Sequence, residues 1–157
     1  MESPVITALR AEVAQLNIRL RHLAGEMKRL QPKIDGAVTL RFAPCGKGCH
    51  GCPHPAWLTW RRRYRGERSG RRAQATRGGG RASLGRVAAY GRPGPITGEG
   101  YFWLGYRIAY PLKSLRRGGR FAQNYPQVKA IVQEALGLQK RRAQLLAESR
   151  RLSLLLG

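Results

Sequence analysis

The residues with the clearest chemistry are three cysteines and two histidines within ten positions, in the segment Cys45-Gly-Lys-Gly-Cys49-His50-Gly-Cys52-Pro-His54. Structural zinc takes four Cys or His ligands in a tetrahedron, and glycines allow a short loop to wrap around the ion. The preferred ligand set is Cys45, Cys49, Cys52 and His54, with His50 as a spare or alternative ligand. The spacing therefore predicts a compact structural zinc knuckle.

The sequence leaves alternatives to this zinc site. The cysteines could be ordinary reduced thiols in a turn, or they could serve another metal or a redox reaction. A ligand from elsewhere, either His22 or a residue of a second chain, is also compatible with the pattern. Three clustered cysteines cannot all form disulfides within one chain, so the pattern favours a reducing compartment. We therefore expect a cytoplasmic protein.

The second candidate site is electrostatic. The chain has 30 Lys and Arg residues but only 8 Asp and Glu, a formal net charge of +22. Residues 61–120 hold 16 Lys and Arg and 2 Glu, a net charge of +14, whereas residues 1–40 hold 6 Lys and Arg and 4 acids, a net charge of +2. Arg/Gly-rich segments follow a phosphate backbone because glycine lets the chain conform while arginine supplies charge and stacking. The candidate nucleic-acid-binding residues are Arg61, Arg62, Arg63, Tyr64, Arg65, Arg68, Arg71, Arg72, Arg77, Arg81, Arg86, Lys113, Arg116, Arg117 and Arg120.

This charge predicts a nucleic-acid-binding protein, since polyanion binding relieves the self-repulsion of a small basic domain. An anionic membrane surface and a merely basic protein without a fixed partner are weaker alternatives. The sequence does not suggest an enzyme. Its eight carboxylates are scattered and give no acid/base pair, and no phosphate-binding Gly-x4-Gly-Lys-Ser/Thr loop is present.

Aromatic residues within a basic segment are a third candidate, because they can stack on unpaired bases. A small β-rich head also needs a core. We expect Trp57, Phe102 and Trp103 to be buried, and we expect stacking surfaces at Tyr64, Tyr101 and Tyr106.

Two long helices are predicted at the ends of the chain. The first begins at Ser3-Pro4, which is typical of a helix N-terminus, and ends before Pro32. Its apolar residues are spaced by three and four, as in a heptad seam: Ile6, Leu9, Val13, Leu16, Leu20, Leu23, Met27 and Leu30. The second follows Asn124 and Pro126. Its apolar positions include Ile131, Leu138, Leu145 and Leu152, but Arg142 and Ser149 fall on the same register and weaken the seam.

Between the helices the sequence predicts strands at 38–42, 56–64 and 101–110, with a further short strand at 87–90. Residues 91–100 and the basic segment that follows Pro111 are predicted loops. The predicted fold is α+β. Residues 1–35 and 123–157 form an antiparallel coiled-coil hairpin, and residues 36–122 form a small, zinc-stabilised basic head. The terminal helices could also mediate homodimerisation or bind a protein partner.

The segment Cys45-Gly46-Lys47, Cys49, Cys52, His54-Pro55 and Trp57-Leu58-Thr59-Trp60 resembles a family of short proteins from prokaryotes and their mobile elements, including phage. The likeness extends more weakly to residues 101–110 and 126–156. This chain differs in its Arg/Gly insert, in its cysteine spacing and in lacking Gly-Pro-Tyr after His54. The resemblance implies a zinc-knuckle-like element and a role with nucleic acid, with DNA as the favoured partner. An RNA-binding or ribosome-associated protein and a phage- or plasmid-encoded coiled-coil adaptor are the alternative functions.

Overall fold

The structure is a computed structural model that describes residues 3–46, 49–64, 96–106, 109–117 and 123–156. It contains three helices, α1 (Pro4–Leu30), α2 (Ala109–Arg117) and α3 (Tyr125–Leu156). The strands β1 (Val38–Ala43), β2 (His54–Tyr64) and β3 (Ile96–Gly105) form one antiparallel sheet in that order. The predicted α+β class is confirmed for this described part of the chain.

Helix α1 begins and ends where the sequence predicts. Ser3 is the extended N-cap residue, and Pro4 occupies the first helical position, where the proline's missing N–H costs nothing. Every residue of the predicted seam is buried or half-buried, so the periodic apolar face is a packed face. The helix ends at Leu30, and the side chain of Gln31 then accepts from the Val38 amide at 2.8 Å and joins the helix to β1.

Helices α1 and α3 pack against each other in opposite directions. Glu12 pairs with Arg141 at 3.0 Å, and Arg19 pairs with Glu134 at 2.8 Å. Residue numbers therefore increase in opposite directions along the two helices. At the far end the Asn124 side chain donates to the Leu30 carbonyl at 3.2 Å. The helices thus form an antiparallel pair, and its coiled-coil geometry stays a prediction.

The sheet lies against this helix pair, and the main core is between them. The core consists of apolar side chains from both long helices, from β1 and β2, and from α2: Leu20, Leu23, Met27, Val38, Leu40, Trp57, Leu115, Val128, Val132 and Ala135. Removal of this apolar surface from water is the main force that holds the sheet on the helices. In addition, the Thr39 hydroxyl donates to the Ala24 carbonyl at 3.0 Å, which ties β1 to α1.

Three predictions for residues 91–120 are wrong in whole or in part. Residues 96–100 are predicted as a loop because of their glycines, but they belong to β3. The long strand β2 offers backbone hydrogen-bond partners as far as Tyr64, and backbone pairing does not require side chains. The predicted strand at 101–110 ends at Gly105, whose φ of 114° favours glycine. Pro111 then lies in the first turn of α2 instead of closing a strand.

The predicted loop after Pro111 is therefore helix as far as Arg117. The buried Leu115 and half-buried Leu112, three positions apart, pack α2 on the core. The predicted strand at 87–90 lies outside the described residues. No helix in the described ranges combines the length and apolar character that a membrane span requires.

Candidate metal centre

The cysteine-rich segment forms the connection between β1 and β2, which we call the cysteine loop, residues 44–53. The strands close the loop at its base, because Ala43 and His54 are paired residues of the sheet. Inside the loop the Cys52 amide donates to the Cys49 carbonyl at 3.3 Å, and the Cys45 amide contacts the Cys52 sulfur at 3.5 Å. Gly46 has a φ of 73°, which suits glycine at this turn. The turn brings the first and last cysteines together.

Four side chains meet in this loop, and they are those predicted from the sequence. The ligand atoms of Cys45, Cys49, Cys52 and His54 all lie within 4.8 Å of one another, and we call this group the Cys/His cluster. The three sulfurs are 3.3 to 3.5 Å apart, and the His54 Nε2 is 2.8 Å from the Cys49 Sγ. These distances far exceed the ~2.05 Å of a disulfide bond, so the cysteines are thiols.

The cluster fits a tetrahedral metal ion. Zinc–sulfur bonds of about 2.3 Å place the sulfurs of a tetrahedron about 3.8 Å apart, a few tenths of an ångström beyond the observed spacing. His50 does not belong to the cluster and lines a cavity of about 190 Å³ beside it. His22 lies on α1, where its ring is 3.6 Å from Glu26. Among the described residues, His54 is therefore the histidine that completes the set.

The electrostatics of the cluster favour a cation at its centre. The pKa of the Cys52 thiol is raised: the Cys45 amide lowers it, but the neighbouring Cys45 and Cys49 sulfurs and burial outweigh that effect. The pKa of the nearby Tyr106 hydroxyl is also raised, first by burial and then by the three cysteines. Thiols this close together resist becoming thiolates unless a positive charge lies among them.

The cluster is fastened to helix α3 by Arg142, which is only 4% exposed. Its Nη2 donates to the carbonyls of Gly51 at 2.6 Å and Pro53 at 3.0 Å, and its Nη1 lies 3.2 Å from His54 Nδ1. Its Nε donates to Asn17 of α1 at 2.7 Å. One guanidinium therefore joins the loop to both long helices and lies beside His54.

In the described part of the chain, no carboxylate contacts this buried guanidinium. Burial lowers the pKa of Arg142, while the nearby Cys49 and Cys52 raise it. A buried cation without a counter-charge is strongly unfavourable. The cysteines of the cluster, in their thiolate form, would supply a negative charge next to Arg142.

A second polar residue of α3 supports the base of the loop. Gln139, 8% exposed, accepts from the Trp57 indole N–H at 2.8 Å and donates to the Pro55 carbonyl at 3.1 Å. Gly51 lies so close to α3 that an added Cβ would be 2.7 Å from a Leu146 methyl. Glycine at this position therefore permits the contact between loop and helix.

Sequence reasoning did not identify Arg142, Gln139 and Asn17 as part of the site. The available signal was Arg142 and Ser149 on the heptad register of α3, which we interpreted as a weak seam. Both are buried, as polar residues that face an interior would be. A polar residue at an expected core position can therefore indicate a buried site.

The predicted nucleic-acid-binding residues lie on two elements and in segments beyond the described ranges. Arg61, Arg62, Arg63 and Tyr64 end β2, and Lys113, Arg116 and Arg117 lie on α2. Arg62, Lys113 and Arg116 are exposed, and Arg61 is half-buried. The other predicted residues lie outside the described residues: Arg65, Arg68, Arg71, Arg72, Arg77, Arg81, Arg86 and Arg120.

Further cations surround the Cys/His cluster. Arg10 of α1 and Arg150 of α3 line the cavity of about 190 Å³, and Arg150 also lines a wider cavity of about 590 Å³ with Tyr106 and Arg142. The basic character of the molecule thus extends to the Cys/His cluster. Comparison of the chain with protein-family models, with curated proteins and with solved structures finds no match.

Proposed function

We propose that the protein binds nucleic acid through a basic head that a structural zinc ion holds together. The ligands of the ion would be Cys45, Cys49, Cys52 and His54. With all four positions taken by the protein, the ion crosslinks the chain and leaves no open position for a substrate. The described residues of the cysteine loop contribute no side chain to the apolar core, so such a crosslink would contribute directly to the folding free energy of this loop.

The charge balance around the cluster supports a divalent ion. One divalent ion, three thiolates and a neutral imidazole sum to a charge of −1. The guanidinium of Arg142, which donates to the Gly51 and Pro53 carbonyls beside the cluster, supplies the matching +1. Zinc is the divalent ion that most commonly occupies such a sulfur-rich tetrahedral site in proteins.

Nucleic-acid binding is supported above all by the concentration of charge in the head. Residues 61–120 carry a net charge of +14 out of +22. Strand β2 leads from the metal ligand His54 directly into Arg61, Arg62 and Arg63. Arginine binds phosphate with paired hydrogen bonds, which suits a polyphosphate backbone. DNA is the favoured partner through the resemblance of the cysteine segment, and RNA is the alternative.

The test is a salt series with the full-length, zinc-loaded protein. Fluorescence anisotropy would measure the affinity for duplex DNA, single-stranded DNA and structured RNA, with polyglutamate as a polyanion that lacks phosphate. We expect the logarithm of affinity to fall linearly with that of salt concentration, by about three decades between 50 and 200 mM if six or more phosphates are contacted. No binding at 50 mM salt, or binding that salt does not weaken, would contradict the proposal.

Matched variants locate the surface. Replacing Arg61, Arg62 and Arg63 by Gln removes three charges from the head and should flatten the salt dependence by about two to three phosphate contacts. Replacing Arg19, Arg21 and Arg29 by Gln removes the same charge from α1. If both triple variants weaken binding equally, total charge rather than the head determines the affinity.

A further inference from the structure

The three tryptophans of the chain differ sharply in exposure. Trp57 is fully buried and Trp60 is 3% exposed, as expected for the core of a small sheet. Trp103 is 49% exposed, so the prediction that its side chain is buried is wrong. An exposed indole keeps a large apolar surface in contact with water, which is unfavourable unless something else covers that surface.

Trp103 does not stand alone on its face of the sheet. Tyr106 is 41% exposed, and its ring meets that of Trp103 edge to face with centroids 5.2 Å apart. The ring centroids of Tyr106 and His54 are 6.0 Å apart, and this pair is also edge to face. The Tyr106 hydroxyl donates to the Pro44 carbonyl at 3.4 Å. This aromatic pair, Trp103 and Tyr106, is therefore held in place beside the metal centre.

Positive side chains contact the two aromatic residues next to this pair on the sheet, Tyr101 and Trp60. Side chains alternate along a strand, and the pairing of Leu58 with Trp103 and of Trp60 with Tyr101 places these residues on one face. On this face the Lys28 ammonium lies 5.5 Å from the Tyr101 ring, and the Arg62 guanidinium lies 5.8 Å from the Trp60 ring. Glu99, 3.6 Å from Arg62, balances part of this charge.

The register places one further cation, Arg41 of β1, on the same face, beyond the buried Thr39 and Leu58. Thr39 pairs with Leu58, and Leu58 pairs with Trp103, so all three side chains are on the same face of the sheet. Arg41 is two residues after Thr39, so its exposed side chain is on that face as well. Aromatic rings with flanking cations match the two parts of a nucleotide. The rings match the base, and the cations match the phosphate.

The exposed rings also determine which nucleic acid fits. In a duplex each base face is covered by its neighbours, so an indole on a folded sheet has no base face to contact. In a single strand the base faces are accessible, and stacking on aromatic side chains is the usual way proteins hold them. From this surface, and resting on the proposed nucleic-acid-binding function, we propose that the partner is a single-stranded nucleic acid whose bases stack on Trp103 and Tyr106.

The intrinsic fluorescence of the protein reports this contact directly, because Trp103 is the exposed indole of the three. The zinc-loaded, full-length protein is titrated with oligo-dT and oligo-rU, with duplex DNA of equal length, and with inorganic polyphosphate as a base-free polyanion. We expect both single strands to quench the emission and to bind more tightly than the duplex. Polyphosphate should bind by charge without comparable quenching.

Two substitutions at one position separate stacking from apolar bulk. Trp103→Leu keeps an apolar side chain but removes the aromatic ring, and should lower single-strand affinity about 5- to 100-fold, as expected for the loss of one stacked base. Trp103→Phe restores a ring and should recover much of that affinity. Retained zinc and an unchanged circular dichroism spectrum show that both variants fold.

The outcomes distinguish this proposal from the broader one. Equal affinity for duplex and single strands, with no quenching and no effect of Trp103→Leu, overturns the stacking surface but leaves nucleic-acid binding intact. No binding to any of the nucleic acids overturns both. Quenching by polyphosphate equal to that by the single strands also overturns the stacking surface, because it would show that charge alone changes the indole.

Discussion

The two long helices contribute different kinds of residue to the interior. The buried face of α1 is apolar throughout: Ile6, Val13, Leu20, Leu23 and Met27. The buried face of α3 begins in the same way, with Val128, Val132 and Ala135. It then becomes mainly polar, with Gln139, Arg142 and Ser149 next to one buried leucine, Leu145. The apolar part packs on the core, whereas the polar part binds the cysteine loop. A break in a heptad pattern here marks a site and not a loss of packing.

The apolar and the polar buried residues therefore stabilise the fold in different ways. Apolar residues stabilise the core in proportion to the surface they bury, whatever happens at the cluster. Buried polar residues stabilise only when their partners are in place. Apart from Asn17 of α1, the partners of Gln139 and Arg142 belong to the cysteine loop and β2, so the polar part of α3 depends largely on the order of the loop. If a metal ion orders the loop, the ion also stabilises half of α3.

Removal of the metal should produce the largest effect. Structural zinc sites in small peptides have apparent binding free energies of about 10 kcal/mol or more, and that energy is folding energy. We expect a strong chelator, or Cys45→Ser, to lower the unfolding midpoint by many degrees in thermal scans followed by circular dichroism. Identical midpoints with and without chelator would contradict a structural metal.

Arg142→Met should produce the next largest effect, and mainly in the zinc-loaded protein. Breaking a buried ion pair by removing one partner costs about 3–5 kcal/mol, because the other charge remains buried. Urea unfolding with and without zinc measures both losses. The neighbouring Arg141→Met is the control, since its exposed pair with Glu12 is worth about 1 kcal/mol or less. An equal loss with and without zinc would show that Arg142 does not balance the metal centre.

Leu20→Ala tests the apolar part of the comparison. Leu20 is fully buried in the core, and truncation of such a leucine costs about 2–5 kcal/mol through lost contacts and the cavity left behind. We expect the same loss in urea unfolding of the zinc-free and the zinc-loaded protein, provided that both unfold cooperatively. A loss seen in only one form would mean that core and metal centre are not independent.

Gln139→Leu should have the smallest effect of the four. It leaves the Trp57 indole N–H and the Pro55 carbonyl without their partner, at a cost of about 1–3 kcal/mol. Urea unfolding measures this cost, and Gln133→Leu at an exposed position of α3 is the control. If the two variants lose equal stability, the hydrogen bonds of Gln139 do not support the loop.

Much of the scaffold could be predicted from local sequence. Helix α1, strands β1 and β2 and the four members of the Cys/His cluster follow from periodicity, from strand propensity and from ligand spacing, all of which act within short segments. Residues 96–100 of β3 could not, because a glycine-rich segment becomes a strand only where a long neighbour such as β2 offers backbone partners. Arg142 lies 88 positions from His54, and no local pattern indicates that contact. The exposure of Trp103 likewise depends on which residues the folded sheet covers.

Hydrogen exchange of the zinc-free and zinc-loaded protein, followed by mass spectrometry, tests the central comparison most directly. Zinc removal should accelerate exchange in residues 45–58 and 139–149, where the loop and the polar part of α3 depend on each other. Residues 20–27 and 128–135, which pack by apolar contacts, should change much less. Unchanged exchange in residues 45–58 and 139–149, or equal acceleration in all four segments, would contradict a metal centre that selectively organises the loop and the polar part of α3.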